Sequence, residues 1–184
     1  MKKIIMGLAL LVFTMSLFIY YKYQQPPTVD KVFKITDRWS PAIEEVYDVK
    51  KVGDDWLALF RNKHTVFAGK LKQNWLGSWR LIDDNGKEGV LATANYPPES
   101  ENEGVTWGAS AVNDEVAYYF GMISNPNVNK VIIETRGKEY TDIPFIQSNE
   151  RRFFLIKTEG SIVPYDFKAL SGNGKIIAPR QPKY

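Results

Sequence analysis

The sequence predicts a mainly β protein: an N-terminal transmembrane helix, then a short helix, then a β-meander or sandwich of roughly ten short antiparallel strands. Three observations support this fold class. An uncharged apolar run extends from Ile4 to Tyr21. Beyond it, short aromatic-rich segments alternate with turn residues, as they do in sandwiches and barrels. Finally, Asp84-Asn85-Gly86 is a strong hairpin signal, because Asn-Gly suits a type I′ turn.

The apolar run is long enough to cross a bilayer. Its 18 residues contain no charge. At about 1.5 Å per helical residue they cover roughly 27 Å, close to the bilayer core of about 30 Å. A cleaved signal peptide has a shorter apolar core and a small-x-small cleavage site, but the only such pair, Thr14 and Ser16, lies inside the run. We therefore expect an uncleaved anchor over residues 1–23, with a cleaved signal peptide as the alternative.

The flanks of the run indicate its orientation. Three tyrosines within residues 20–23 lie where an aromatic belt would meet the headgroups. Lys2 and Lys3 form a short basic tail, which usually stays inside the cell. The sequence thus predicts membrane contact through residues 4–21, with the amino terminus inside and the C-terminal domain outside. Secretion after cleavage is the alternative.

The net charge comes from this N-terminal segment. The chain has 24 Lys and Arg against 21 Asp and Glu, and Lys2, Lys3 and Lys22 supply the whole excess. A neutral remainder argues against a nucleic-acid partner, which would require a basic surface. The chain has no cysteine, so it has no disulfide and no lipid-modified cysteine. An exported chain of this kind is typical of bacterial surface proteins.

Charges are unevenly placed in the remainder. Residues 50–80 hold seven basic and two acidic residues, whereas residues 83–115 hold eight acids and one lysine. Charge runs are usually solvated faces that neutralise each other. We expect adjacent strands and loops to pair these charges.

The chain divides into the anchor, a proline-containing linker at 24–30 and an extracytoplasmic β-rich domain at 31–184. Two prolines favour a stiff spacer that lifts the domain off the membrane. The acidic, proline-rich segment 95–104 is the point where the domain would divide into two packed halves. Val32–Ile35 is predicted as a first strand. A short helix is predicted near 41–47, because Ser40 is a good N-cap residue and proline fits the first turn.

Strand patterns dominate the rest of the chain. The hairpin at Asp84-Asn85-Gly86 should return through a strand beginning at Lys87. The predicted strands are DWLALFRN, HTVFAGKLKQ, NWLGSWRLID, KEGVLATANY, VTWGASAV, EVAYYFGMIS, KVIIETRG, KEYTDIPFIQ, RRFFLIKTEG, VPYDFKAL and KII.

Several of these stretches resemble a known group of proteins. They are GDDWLALFRN with NWLGSWRLID, and FGMISNPNVNKVIIETRGKEYTDI with RRFFLIK and YDFKALSGNGKII. The pattern is similar to that of small single-pass surface proteins of Firmicutes, in which a short helix and a β-meander precede a sandwich-like half. That group has no assigned activity. The resemblance implies a location at the cell surface and a β-rich fold, and it assigns no functional residues to this chain.

The sequence offers no catalytic or metal motif. Without cysteine, Gly-x-Ser-x-Gly or Ser-x-x-Lys, nucleophilic catalysis would depend on His64, the only histidine, which lies in a predicted turn without an orienting partner. One histidine and no cysteine make a zinc site implausible. The acids of the 83–88 turn lack EF-hand spacing, and the hairpin explains them. We therefore predict no catalytic residue, no metal and no cofactor.

Two groups of residues remain as candidate sites. Trp75 and Trp79, flanked by Arg80, would share one face of an extended strand and could stack against sugar rings or anchor a partner; filling a β core is the alternative. Acidic residues of the 95–104 segment could support hydrolysis only if buried. These acids are Glu99, Glu101 and Glu103.

These observations predict a membrane-tethered extracytoplasmic binding or interaction module that is not an enzyme. Its partner would be a surface protein or a cell-wall glycan. A glycan binder that uses Trp75, Trp79 and Arg80 is the more specific alternative. A surface hydrolase that uses the acidic segment is the third hypothesis.

Overall fold

The computed structural model describes residues 2–96, 104–112, 115–135, 138–148, 151–160, 162 and 166–179. Over these residues the chain is mainly β, with thirteen strands and two helices, which confirms the predicted fold class. The helices are α1 (Lys2–Gln24) and α2 (Val29–Ile35). The strands are β1 (Glu45–Val52), β2 (Asp55–Arg61), β3 (Thr65–Gln73), β4 (Trp79–Ile82), β5 (Ala92–Asn95), β6 (Val105–Val112), β7 (Val116–Ile123), β8 (Val128–Thr135), β9 (Lys138–Tyr140), β10 (Phe145–Ser148), β11 (Arg151–Glu159), β12 (Asp166–Ser171) and β13 (Ile176–Pro179).

The strands form three antiparallel sheets. Sheet A has the order β1-β2-β3-β4, and β5 pairs with the first half of β3. Sheet B has the order β10-β11-β7-β6, and sheet C has the order β13-β12-β8-β9. Successive hairpins after β5 alternate between sheets B and C, so the C-terminal half of the chain builds two facing sheets.

Sheet B is the central layer. Along β7, Tyr118 and Phe120 pack towards sheet A, while Tyr119 and Ile123 pack towards sheet C. Side chains alternate between the two faces of a strand, so a strand covered on both faces consists almost entirely of large apolar residues. This explains the run VAYYFGMI, of which all but the first residue are buried.

Helix α2 covers the outer face of sheet A. Val32 is fully buried in a cluster with Phe60 and Leu81. Thr28 caps the helix, because its side chain accepts a hydrogen bond from the Lys31 amide at 3.4 Å.

The predicted local structure before β1 is wrong in two places. Residues 32–35 are helical rather than extended, and residues 41–44 are irregular, with β1 starting at Glu45. The short helix therefore exists, but it starts inside the segment predicted as a linker. In the helix, Val32 is fully buried against sheet A and Ile35 is partly buried beside it.

Three predicted strands are interrupted. NWLGSWRLID contains a turn, and only Trp79–Ile82 is extended. KEGVLATANY contributes only Ala92–Asn95, which pairs with β3 instead of β4. KEYTDIPFIQ splits into β9 and β10, which belong to different sheets. The first of these is a local turn that joins β3 to β4, whereas the other two depend on which strands the chain pairs with in the folded sheets.

Helix α1 stands apart from the sheets. Its segment Ile4–Gln24 has a mean hydropathy of 2.2, and none of it is buried against the rest of the chain. It is long and apolar enough to cross a membrane, and a signal sequence near an amino terminus has the same properties. Only its last turn meets the β domain, where the Gln73 side-chain amide donates to the Lys22 carbonyl at 3.0 Å.

Candidate functional site

A charged cluster centred on Asp55 lies where sheets A and B meet. The Tyr118 hydroxyl and the Lys157 ammonium donate to one carboxylate oxygen at 2.7 and 2.6 Å. The Lys70 ammonium lies 2.6 Å from the other oxygen. The Asp55 side chain is only 12% exposed, while both lysines are about a quarter exposed.

Local structure places each member of the cluster. Gly53, with a φ of 61°, makes the tight turn between β1 and β2 and leaves Asp55 at the first position of β2. Lys70 lies on the neighbouring strand β3 of sheet A. Lys157 lies on β11 of sheet B. The two ammonium groups lie 5.8 and 5.9 Å from the centre of the Tyr118 ring.

The cluster shifts the pKa values of Asp55 and Tyr118. Burial acts to raise the pKa of the Asp55 carboxyl, but hydrogen bonds from Lys157, Lys70 and Tyr118 outweigh it and lower the pKa to about 2. Burial, and then the hydrogen bond to the carboxylate, raise the pKa of the Tyr118 phenol. A carboxylate held ionised in this way is a poor proton donor near neutral pH. The cluster carries one positive charge in excess.

A groove of about 590 Å³, which we call the tryptophan groove, opens on the sheet A side of the cluster. Trp56 and Trp79 contribute to its lining, and their rings meet edge to face at 6.3 Å. Eight further residues of the lining are polar or charged. They are Asp54, Asp55, Lys70, Lys72, Gln73, Asp83, Asp84 and Asn85.

A second groove, of about 620 Å³, opens beyond Lys157. It lies between the β1–β2 turn, the β9–β10 connection and β11, and Lys50, Lys51 and Lys157 contribute positive charge against Glu139 and Asp142. The Asp55 cluster therefore separates two grooves, with Lys70 facing one and Lys157 facing the other.

The three residues predicted to form a binding face do not lie on one strand. Trp79, at the start of β4, lines the tryptophan groove. Trp75 occupies the turn between β3 and β4, is 74% exposed and lies outside that groove. Arg80 is exposed and pairs in register with Lys72. A binding role for each residue stays a prediction; of the three, Trp79 lines the tryptophan groove and Trp75 and Arg80 do not.

The remaining candidates are placed as follows. His64 is exposed in the β2–β3 turn, where the Asn62 side chain accepts from its amide at 2.8 Å. The Asp83 side chain closes the 83–87 turn by accepting from the Lys87 amide at 2.8 Å. Glu99, Glu101 and Glu103 lie outside the described residues. Within the part of the chain that the structure describes, no group of three or more His, Asp or Glu is placed to hold a metal ion.

Sequence reasoning missed the Asp55 cluster and its groove. The charges of Lys50, Arg61 and Lys70 are met by acids within residues 44–55, on the same strand or on an adjacent strand or loop. Cross-sheet pairing depends on which strands face each other, and that information is absent from the local sequence. The signal available was Asp55 itself, a carboxylate opening an otherwise apolar strand.

No protein-family model matches the chain, and comparison with curated proteins and with solved structures found no similar one.

Proposed function

We propose that this protein is a membrane-anchored, extracytoplasmic binding module that is not an enzyme and that takes a sugar-containing ligand of the cell envelope in the tryptophan groove. The observation that carries the proposal is that two tryptophans in edge-to-face contact, Trp56 and Trp79, line one groove together with residues that bear carboxylate, amide and ammonium groups. Ligand sites combine an apolar lining with a few converging polar groups in this way.

The chemistry of the groove fits a sugar ring. A sugar presents a C–H face that packs on an aromatic ring and hydroxyl groups that both donate and accept hydrogen bonds. Lys70 and Lys72 supply donors, and Asp54, Asp83 and the Gln73 side-chain oxygen supply acceptors; the Gln73 amide nitrogen already donates to Lys22 and Gly77. Four carboxylates (Asp54, Asp55, Asp83 and Asp84) and two ammonium groups (Lys70 and Lys72) line the groove, so its charge favours a neutral sugar over an acidic or phosphate-linked one.

The anchor determines on which side of the membrane, and how close to it, the groove encounters such a ligand. Helix α1 is apolar and exposed along its length, and α2 and the β strands follow it. With the amino terminus inside the cell, the groove faces the outside close to the membrane, because the Trp79 indole donates to the Gln25 carbonyl at 3.3 Å, one residue after α1 ends.

Binding is tested with the full chain in detergent micelles, by co-sedimentation with purified peptidoglycan and by tryptophan fluorescence with soluble N-acetylated oligosaccharides. Trp79→Leu keeps an apolar side chain and removes the ring, and Trp75→Leu is its matched control on the same hairpin. Lys72→Ala and Arg80→Ala form a second pair, since the two residues are opposite each other and only Lys72 lines the groove.

We expect about tenfold weaker binding for the two groove variants and little change for their controls. Absence of wild-type binding to every glycan tested would refute the sugar ligand. Equal losses in groove and control variants would refute the site.

Topology is tested separately in intact cells. Because the chain lacks cysteine, Asn173→Cys creates a single thiol in an exposed turn. It should react with a membrane-impermeant maleimide, and the cell-associated protein should retain residues 4–21. A mature amino terminus found between residues 15 and 30 would instead establish signal-peptide cleavage.

A further inference from the structure

We propose that the tip of the β3–β4 hairpin, Trp75 and Leu76, is a second membrane contact that inserts into the lipid headgroup interface beside α1. This inference rests on the proposed membrane anchor and is independent of the sugar ligand. The surface that we propose to cover this exposed apolar tip is the lipid bilayer.

The tip is an apolar surface on a preformed turn. Trp75 is 74% exposed and Leu76 is 46% exposed. The Asn74 side chain holds the turn by accepting from the amides of Leu76 and Ser78 at 3.0 and 2.9 Å, and Gly77 adopts a φ of 77°. Backbone and asparagine contacts thus make the turn, and the two apolar side chains project from it.

The turn is fixed to the end of α1. Gln73 donates to the carbonyls of Lys22 and Gly77, each at 3.0 Å. A Cβ atom on Gly77 would lie 2.8 Å from Lys22 Cβ, so the turn backbone packs directly on that residue. The hairpin and the helix end therefore form one unit rather than two bodies on a free linker.

Depth in the membrane follows from these contacts. The apolar run of α1 ends at Tyr21, so Lys22 marks the headgroup level when the run spans the bilayer. Trp75 is two residues from Gly77, which limits it to about 7 Å of chain from that level. Tryptophan and tyrosine are enriched at this depth. Trp75 would add to the exposed tyrosines of residues 20–23 on the same side.

A second membrane contact would restrict the orientation of the β domain relative to the bilayer, which a single helix does not do. A single helix leaves a domain free to rotate and tilt, whereas a helix and an adjacent inserted tip fix the domain's face relative to the bilayer. The tryptophan groove lies on the same hairpin, so the tip would hold that groove at a constant height and orientation above the lipid.

The test uses single-cysteine variants of the full chain, labelled with an environment-sensitive fluorophore and reconstituted into vesicles of phosphatidylcholine and phosphatidylglycerol at three to one. Trp75→Cys and Leu76→Cys report on the tip. Asn173→Cys, in the exposed β12–β13 turn, is the aqueous control. Leu10→Cys, within α1, reports whether the helix itself is inserted.

We expect labels at 75 and 76 to show blue-shifted emission, severalfold weaker quenching by aqueous iodide than the label at 173, and quenching by lipids brominated near the headgroup. If the label at 10 is protected while those at 75 and 76 behave like 173, the tip inference fails and the anchor stands. If the label at 10 is itself open to iodide, the anchor fails and the tip inference with it. Protection at 75 without quenching by brominated lipid would mean that the tip contacts protein, which also overturns the inference.

Discussion

The Lys157 ammonium donates to the Asp55 carboxylate at 2.6 Å, although the two residues are 102 positions apart in the chain. Lys157 belongs to sheet B and Asp55 to sheet A. Lys70, on the neighbouring strand of sheet A, approaches the other carboxylate oxygen at the same distance. One side chain thus joins two strands of one sheet to the next sheet, and it does so beside both grooves.

Replacing Asp55 with asparagine should destabilise the fold strongly. The change would leave two ammonium groups facing an amide that cannot neutralise them, in a site from which water is largely excluded. Removing one partner of a buried ion pair costs several kcal/mol, and the partial exposure of both lysines reduces this to about 2–3 kcal/mol. Urea denaturation of the detergent-solubilised full chain, followed by tryptophan fluorescence, measures the loss.

Asp48→Asn is the matched control. Asp48 pairs with Lys50 at 3.3 Å on the same strand, and the two side chains are 27% and 28% exposed. A pair of this kind contributes less than about 1 kcal/mol. If both variants lowered the free energy of unfolding equally, the Asp55 cluster would be no more than an ordinary surface ion pair.

Lowering the pH should reduce the free energy of unfolding of the wild type more than that of the Asp55→Asn variant. Burial alone would raise the pKa of Asp55, but the hydrogen bonds it accepts lower it from 3.8 to about 2 in the folded state. A depressed folded pKa means that the stabilisation is complete above the unfolded value and is lost as pH falls through the folded value. The wild type should therefore lose about 2 kcal/mol between pH 4 and pH 2 that the variant does not lose.

The measurement is the difference in the free energy of unfolding between wild type and variant at successive pH values. That difference should be constant above about pH 5 and should shrink as pH falls towards 2. A difference that stays constant down to pH 2 would show that the carboxylate gains nothing from its partners.

Raising the pH should destabilise the folded protein through the buried phenol of Tyr47. This residue stacks on Phe153 at 3.9 Å in the core between sheets A and B. Burial first, and then the charge of Glu45, raise the pKa of its phenol from 10.0 to about 12. A raised folded pKa means that the stabilisation is complete below the unfolded value and is lost as pH rises through the folded one.

Between pH 10 and pH 12 the wild type should therefore lose stability relative to Tyr47→Phe, which keeps the stacked ring and removes the titrating group. Tyr23→Phe, at an exposed position of α1, is the control because it removes one tyrosine without touching the core. Parallel alkaline profiles for wild type and Tyr47→Phe would contradict the prediction.

The sequence predicted the strands well where local chemistry determines them. β2, β3, β6 and β7 lie within or coincide with their predicted stretches, because alternation and turn residues act over a few positions. Helix α2 was missed although Thr28 is a good N-cap residue, since Val32–Ile35 has the β-branched composition of a strand. Packing of Val32 onto sheet A decides in favour of the helix, and that partner is remote in sequence.

The candidate site depended even more on remote contacts. Trp75 and Trp79 were predicted to share a face on the assumption of a continuous strand, but the turn held by Asn74 separates them. Nothing near Asp55 in the sequence indicates that Lys157 will meet it. Residue types therefore suggested an aromatic binding surface, while its actual members, Trp56 and Trp79, required the pairing of β2 through β4.

Gly121 should be intolerant of any side chain, because it lies in the central sheet directly opposite Phe154 of the neighbouring strand β11. A Cβ atom there would lie 2.5 Å from both Phe154 Cε1 and the Thr106 carbonyl oxygen. The backbone oxygen cannot move without breaking the β6–β7 ladder, so Gly121→Ala should lower the free energy of unfolding by about 3 kcal/mol.

The control for this change is Gly172→Ala, because a Cβ atom at Gly172 would meet only the Asn129 side chain at 3.4 Å, an ordinary contact. That variant should stay within about 0.5 kcal/mol of wild type. Equilibrium urea denaturation of the two variants compares them directly. A tolerated alanine at 121 would mean that the Phe154 ring does not lie across Gly121 between β7 and β11 as the structure places it.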